Sequence, residues 1–506
     1  MRLLLLLTHA GLFRNFDSTL RELVDRGHDV HLSFDSDRYP SAALDALVAA
    51  SPNLTVGRTP PVAQDRWTAL GRGVRAGSDY VRYLGPRYVD APKLRARARR
   101  QVPAWLRWTL REGSDPARAD RFLRRIEAGL PLSDPALAYV RELKPDLVAI
   151  SPLFGSAPQL ETLRAARSLG VPTCMPVASW DNLTNKGLIR EIPDALIVWN
   201  EAQRKEAAEL HGVPPERVTV TGGQNFDEWF ARTPSSEYRE FAQRLGLDPA
   251  KPYLLYLGSS SFIAPEEAPF AVDWLAAVRA HPELRDVGVL FRPHPQNARQ
   301  WALPQLLADP QVAIYPPPEL APQQTGRADW SREDFYDSMH HAAAVIGVNT
   351  TAQIESAVLG RAIYTMLAPR FADTQAGTLH FEHLRSFAGG LLHLSEDFDE
   401  HVRQLAEAVD ARDTPSERSR TFISAFVRPN GLDRPATPFV VDALEAAAAL
   451  QPVAAPVPRP APALTPLSWL ALAGDRATGK RKGKKGKRGR RRRVLKRRLL
   501  AVLPGR

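Results

Sequence analysis

Leu3 to Leu7 form the first unbroken apolar run of the chain. The segment 2–8 predicts a strand buried on both faces. From Arg14 to Arg26, Phe16, Leu20, Leu23 and Val24 recur at helical spacing, which predicts an amphipathic helix. Gly27 stops it, and Asp29 to Phe34 alternates apolar and polar residues like a second strand. Short apolar strands are predicted again at Asp146 to Ile150, Thr173 to Val177 and Ala195 to Trp199, with helices at 156–169 and 200–211 between them. A second series begins near Pro252. Its strands are Tyr253 to Leu257, Val287 to Phe291, Val312 to Tyr315, Ala343 to Ile346 and Ala362 to Met366. Strands alternating with helices imply parallel sheets covered on both faces. The fold class expected is therefore α/β, with two Rossmann-like, doubly wound domains facing a cleft.

Residues 1–225 read as the first domain and 250–450 as the second, with the helical segment Pro438 to Leu450 a candidate to cross back onto the first. Residues 60–130 break the alternation: they are rich in Arg, Trp and Tyr and hold no clear strand. They read as a helical insertion, with helices at Pro92 to Arg100 and Trp105 to Arg111. Such a piece serves either as an acceptor or membrane contact or as a solvated flap, and its charge favours the flap. Residues 451–475 are Pro/Ala-rich and read as an extended linker.

Charge changes the picture at the C-terminus. Of 67 Lys and Arg, 16 fall in residues 476–506, which hold no acid. The other 51 face 56 acids, so the body carries a net charge of −5 and the basic character belongs to a tail. That tail reads as largely disordered, with a helical end at Val494 to Leu503. It suits the anionic inner face of the plasma membrane, nonspecific nucleic-acid binding, or mere solubilisation. The single cysteine, Cys174, rules out an intrachain disulfide and fits a reducing cytoplasm. The leucine run is too short to span a bilayer and lacks a cleavage site, so a cytoplasmic protein is expected.

Candidate chemistry clusters at the carboxyl ends of predicted strands, where open parallel sheets bind ligands. Gly347-Val348-Asn349-Thr350-Thr351-Ala352-Gln353-Ile354-Glu355 turns from a strand into a helix. Thr350 and Thr351 open that helix, where unpaired N–H groups favour phosphate. Glu355 lies just beyond, placed to accept hydrogen bonds from a ribose diol. The same residues also fit an ordinary N-cap followed by an acid. Gly258-Ser259-Ser260-Ser261 offers amides and hydroxyls without bulk, or is simply a turn. Arg292 and His294 stand two apart, stiffened by Pro293 and Pro295, and suit a diphosphate or an ordinary polar loop. His9, before Ala10-Gly11, is a candidate general base. The loop Ser179-Trp180-Asp181-Asn182-Leu183-Thr184-Asn185-Lys186-Gly187 mixes an aromatic, amides and a carboxylate. Sugars are bound by such mixtures, with Trp180 stacking and Asp181 and Asn182 hydrogen bonding; Asx-turn chemistry is the other reading.

Thr8-His9-Ala10-Gly11, Arg26-Gly27-His28-Asp29-Val30, Arg292-Pro293-His294-Pro295 and Thr350-Thr351-x-x-x-Glu355 resemble, in order and spacing, the glycosyltransferases of the GT-B fold. The last two are similar to motifs of the bacterial capsule and teichoic-acid branch, which includes CDP-glycerol glycerophosphotransferases. Gly347-Val348-Asn349 stands where that branch carries an Asp before its hydroxyl pair, which leans toward a sugar nucleotide. The resemblance implies transfer of a sugar from a nucleotide-diphosphate donor to a hydroxyl on a glycan or lipid-linked acceptor in envelope polysaccharide synthesis. Ser259, Ser260, Thr350 and Thr351 would hold the phosphates, Arg292 and His294 would offset leaving-group charge, and Glu355 would bind ribose. His9 or Asp181 would deprotonate the acceptor in an inverting reaction. No Asp-x-Asp stands at these strand ends, so neither a metal nor a cofactor beyond the nucleotide-sugar co-substrate is expected. The rivals are a nucleotide-sugar 2-epimerase of the same fold and a non-catalytic polyanion-binding protein led by the tail.

Overall fold

In the computed structural model the described residues are 1–476 without 38–39, 108, 111–112, 114, 152–156, 318–328 and 459. The expected basic tail therefore lies, beyond Arg476, outside the described residues. So do the far end of the expected helix Trp105 to Arg111 and residue 156. Among the described residues, no helix is long and apolar enough to cross a membrane.

Among the same residues, thirteen strands form two sheets. The first holds β1 (Arg2–His9), β2 (Asp29–Ser36), β3 (Leu54–Arg58), β4 (Leu147–Ser151), β5 (Thr173–Pro176), β6 (Ala195–Val198) and β7 (Val218–Val220). Their order is β3-β2-β1-β4-β5-β6-β7, all parallel. The second holds β8 (Tyr253–Leu257), β9 (Gly288–Arg292), β10 (Val312–Ile314), β11 (Ala344–Gly347), β12 (Ile363–Met366) and β13 (Leu392–Ser395). Its order, β10-β9-β8-β11-β12-β13, repeats the first six positions of the other sheet, again all parallel. Each sheet thus reverses its winding once, between β1 and β4 and between β8 and β11. Ligand crevices open at those two points.

The leucine run shows why the strands are apolar throughout. Leu3, Leu5 and Leu7 enter one core; Leu4 and Leu6 enter another on the opposite face. In β8, Tyr253, Leu255 and Leu257 face one core and Leu254 and Tyr256 the other. Helices cover both faces of each sheet, as parallel pairing requires.

The chain crosses between domains twice, and the crossings are bound together. Gly223 N donates to Val427 O at 2.9 Å. At Gly222, φ is +95°, and a Cβ would lie 2.8 Å from Val427 O, so only glycine fits. Asp227 accepts from Arg428 Nη2 and from the backbone of Ala436 and Thr437, which open the helix Ala436–Ala448. That helix returns to the first domain through Val440, Val441 and Leu444.

Two expectations change. The insertion is helical, with Arg66–Arg82, Pro92–Gln101, Ala104–Arg107 and Pro116–Ala128. It is no solvated flap, however. Leu70, Val74, Tyr80, Leu94 and Leu123 give it a core of its own, and Phe262 and Leu379 of the second domain pack against that core. Arg97 lies 4.5 Å over the Phe262 ring. The segment 451–475 is extended only in its first half. Residues 464–476 are helical, because Leu464, Leu467, Ala471 and Leu472 bury themselves on the insertion.

Candidate active site

The helix Thr351–Val358 follows β11 after three residues, and Thr350 is its N-cap in extended conformation. A capping box closes it: Thr350 N donates to Gln353 Oε1 at 3.0 Å. The acid of the sequence pattern, Glu355, takes no part in that box. Gln353 is fixed further by bonds to Gly347 O and Thr365 Oγ1. The amides of Thr351 and Ala352 have no hydrogen-bond partner among the described residues and remain available at the positive end of the helix.

Glu355 lies one turn on and keeps part of its surface exposed. It makes no hydrogen bond or ion pair among the described residues. Burial of its carboxyl raises it to about 7, although Arg14 and Arg332 pull it down. Arg14 comes from the first domain: it sits in the short 3-10 turn Ala10–Asn15 after β1, exposed, beside buried Phe13. Its charge also bears on His294, which burial lowers below the ordinary histidine range and Arg14 lowers further. Gln296 N donates to His294 Nδ1 at 3.1 Å, so the neutral ring keeps its proton on Nε2 and presents a donor there. Two domains thus bring Arg14, His294 and Glu355 into one electrostatic neighbourhood. His9 ends β1 at the first domain's reversal point and is the N-cap of the turn that carries Arg14.

A polar seam closes the domains beside this cleft. Trp180 Nε1 donates to Thr351 Oγ1 at 3.0 Å. His380 stands between Asn185, 2.8 Å from Nδ1, and Asn349, 3.1 Å from Nε2, and packs edge-on against Trp180. Burial pushes His380 down to about 4, so the ring is neutral. Asn349 also donates to Thr374 O, which fixes it as a donor to the ring. On the other side of the ring, the carboxamide nitrogen of Asn185 lies against Nδ1. His383 meets Glu206 across the same seam at 2.5 Å.

Several expected site residues are placed differently. Ser259 is sealed: its N–H donates to Glu267 at 2.6 Å and its hydroxyl to the same carboxyl at 3.2 Å, with no exposed surface. Burial holds Glu267 up at about 8, against the pull of Ser259 and Tyr256. Ser260 is half-buried at the loop's edge. Arg292 is only 7% exposed, with its guanidinium between the rings of Tyr315 and Phe335 at 5.1 and 5.2 Å. Burial lowers it to about 10. It is a packed cation, not an open clamp on a leaving group. Trp180 is 3% exposed, so it has no free face for a sugar. Asn182 is likewise buried. Asp181 pairs with Lys186 at 3.3 Å and accepts from Ser179 Oγ at 2.8 Å. Burial would raise its carboxyl, but Lys186, His380 and Ser179 outweigh it and hold it below the ordinary range, which makes it a weak base. The sequence reading missed Arg14, Asn185, Asn349 and His380. Arg14 had one signal: it is the only charge between Ala10 and Phe16.

On the first domain, a cavity of about 410 Å³ opens at the carboxyl ends of β2 and β3. Asp35, Arg58, Thr59, Gln64, Arg72 and Pro158 line it.

Two doubly wound domains with facing reversal points define a GT-B-like fold. Comparison with solved structures agrees. A glycosyltransferase from Rickettsia africae aligns over 88% of this chain and 98% of its own, at 10% identity and a TM-score of 0.50. A UDP-GlcNAc 2-epimerase from Neisseria meningitidis bound to UDP-GlcNAc covers 88% of this chain and 100% of its own, at 11% identity and a TM-score of 0.49. MurG of Acinetobacter baumannii aligns at 14% identity over 88% of this chain and 100% of its own, with a TM-score of 0.43. The first of these supports the fold; at such identity none carries an activity. No protein-family model and no curated protein matches the chain.

Proposed function

We propose that this chain transfers a sugar from a nucleotide-diphosphate donor to a hydroxyl acceptor. One observation carries the reading: Glu355, one turn beyond a helix N-terminus, is a carboxyl with no hydrogen-bond partner among the described residues, and the charge of Arg14 reaches it from the other domain. The free amides of Thr351 and Ala352 suit the diphosphate, with Arg14 opposite. Glu355 would accept from the ribose diol. His294 Nε2–H would donate to the leaving phosphate oxygen as charge develops there. His9 would take the acceptor's proton while the acceptor oxygen attacks the anomeric carbon and the bond to the diphosphate breaks. The reaction would invert the anomeric centre and needs no metal in this scheme. The cavity bounded by Arg58 and Arg72 suits the acceptor side, a glycan or lipid-linked hydroxyl in envelope polysaccharide synthesis. The basic residues of 476–506 would hold the enzyme on the anionic inner face of the membrane.

Calorimetry with UDP-, GDP-, CDP- and CMP-linked donors tests this. One donor family should bind selectively, and Glu355→Ala should weaken it about tenfold to a hundredfold, the worth of one or two hydrogen bonds to a charged group. His9→Ala should bind donor normally and lose turnover. Binding of no donor, with or without acceptor, would sink the reading. Epimerisation of a bound sugar nucleotide without acceptor would make the chain a 2-epimerase.

A further inference from the structure

The helix 464–476 is apolar on two faces. One face, Leu464, Leu467, Ala471 and Leu472, packs on the insertion. The other carries Pro466, Trp469, Leu470 and Ala473, spaced at i, i+3, i+4 and i+7 and all exposed. Trp469 is 55% and Leu470 50% exposed. An apolar stripe left exposed along a helix marks an interaction surface. Trp469 is also steadied, since Arg66 lies 4.9 Å over its ring. At Gly129 the start of this helix meets the end of the helix Pro116–Ala128, with Leu464 close against it. That second helix exposes Arg118, Arg121, Phe122 and Arg125, again at i, i+3, i+4 and i+7.

We infer that the exposed face of helix 464–476 docks on an anionic lipid bilayer, with Trp469 and Leu470 entering the interface. The occupant follows from charge and order along the chain. Residues 477–506 continue directly from this helix and hold 15 Lys and Arg with no acid. An apolar stripe with an interfacial tryptophan, continued by a basic segment, matches an anionic membrane surface at both points. A nucleic acid would use the basic residues and leave the stripe wet. A second copy would cover the stripe and leave the basic residues without a counter-charge. The same helix, through its opposite face, also touches the proposed acceptor cavity. Arg72, which lines the cavity, pairs with Asp475 of the helix's last turn at 2.7 Å. Docking would hold that cavity near the bilayer, where a lipid-linked acceptor resides. This last step rests on the transferase reading; the docking itself does not.

The test uses the full chain and vesicles of phosphatidylcholine and phosphatidylglycerol in equal parts, with pure phosphatidylcholine for comparison. Sedimentation should show binding to the mixed vesicles, and Leu470→Glu should weaken it about tenfold or more, because a charge replaces a buried side chain at the interface. Leu470 packs against no core, so the fold should survive, as unchanged thermal unfolding would show. Trp469→Ser should weaken binding in the same direction. Equal vesicle binding by wild type and Leu470→Glu would overturn the proposal and leave attachment to the basic residues alone. A wild-type dimer that Leu470→Glu dissolves, without vesicle binding, would overturn it in favour of a second copy. Donor calorimetry on the same samples separates the two readings: lost docking with donor binding intact sinks only the docking.

Discussion

The loops after β8 and β11 lie side by side at the second domain's reversal point, and both place hydroxyls before a helix that carries a glutamate. They do opposite things. After β8, Glu267 turns back and absorbs the Ser259 N–H and hydroxyl in full burial. After β11, a glutamine performs the capping, and Glu355 keeps its oxygens for something else. Both carboxyls are raised by burial, to about 8 and about 7. The difference lies in who satisfies them: the first has protein donors, the second has none among the described residues. A raised acid with its donors supplied is architecture; one without them, in a cleft, is a candidate ligand group.

That contrast is easiest to break at Glu267. Glu267→Ala strands a buried amide and hydroxyl and should cost about 3 kcal/mol in urea unfolding. Donor affinity of the folded fraction should be unchanged. A stable Glu267→Ala protein that lost donor binding would make the serine loop the phosphate cradle after all. A smaller effect is expected across the domain seam. Thr351→Val removes the acceptor of buried Trp180 Nε1 and should cost about 1 to 2 kcal/mol. Valine keeps the backbone amide proposed to hold the diphosphate, so donor affinity should change little; a large loss of affinity would place the Thr351 hydroxyl on the donor as well.

The sheets were legible because most of their strands are buried on both faces and read as apolar runs. The three strands that the pattern missed, β3, β7 and β13, all lie at sheet edges. There the burial is partial, as in Leu54–Arg58, where only Leu54 is buried, so no run forms. Placement was legible where position alone matters, as for Glu355, Thr351 and His294, which do stand at or just beyond strand ends. The role was not legible where a distant partner decides it. Ser259 is claimed by a carboxyl on the following helix. Arg292 is walled by Tyr315 and Phe335, which follow the next strand. Trp180 reads as a sugar platform until Thr351, 171 residues away, takes its N–H. Residue type and local spacing carry no information about such claims.

The smallest effect separates the two acids by titration. Glu355 has a folded value of about 7, above its ordinary 4.5. Between those values the folded protein holds a proton that the unfolded chain releases. The associated stability is therefore present below about pH 4.5 and lost as pH rises through 7. Glu355→Gln removes this loss, so its melting temperature should exceed that of wild type at pH 8 by more than at pH 5. Glu267 titrates with the same sign and stays in both proteins, so it cancels in the difference. Saturating donor should then act on one acid only. A ribose diol donating to Glu355 favours the carboxylate and lowers its pKa, which flattens the pH dependence that Glu355→Gln also abolishes. Glu267 already has its donors and should not respond. If donor left the wild-type pH profile parallel to that of the free protein, Glu355 would not be the group that meets the ribose.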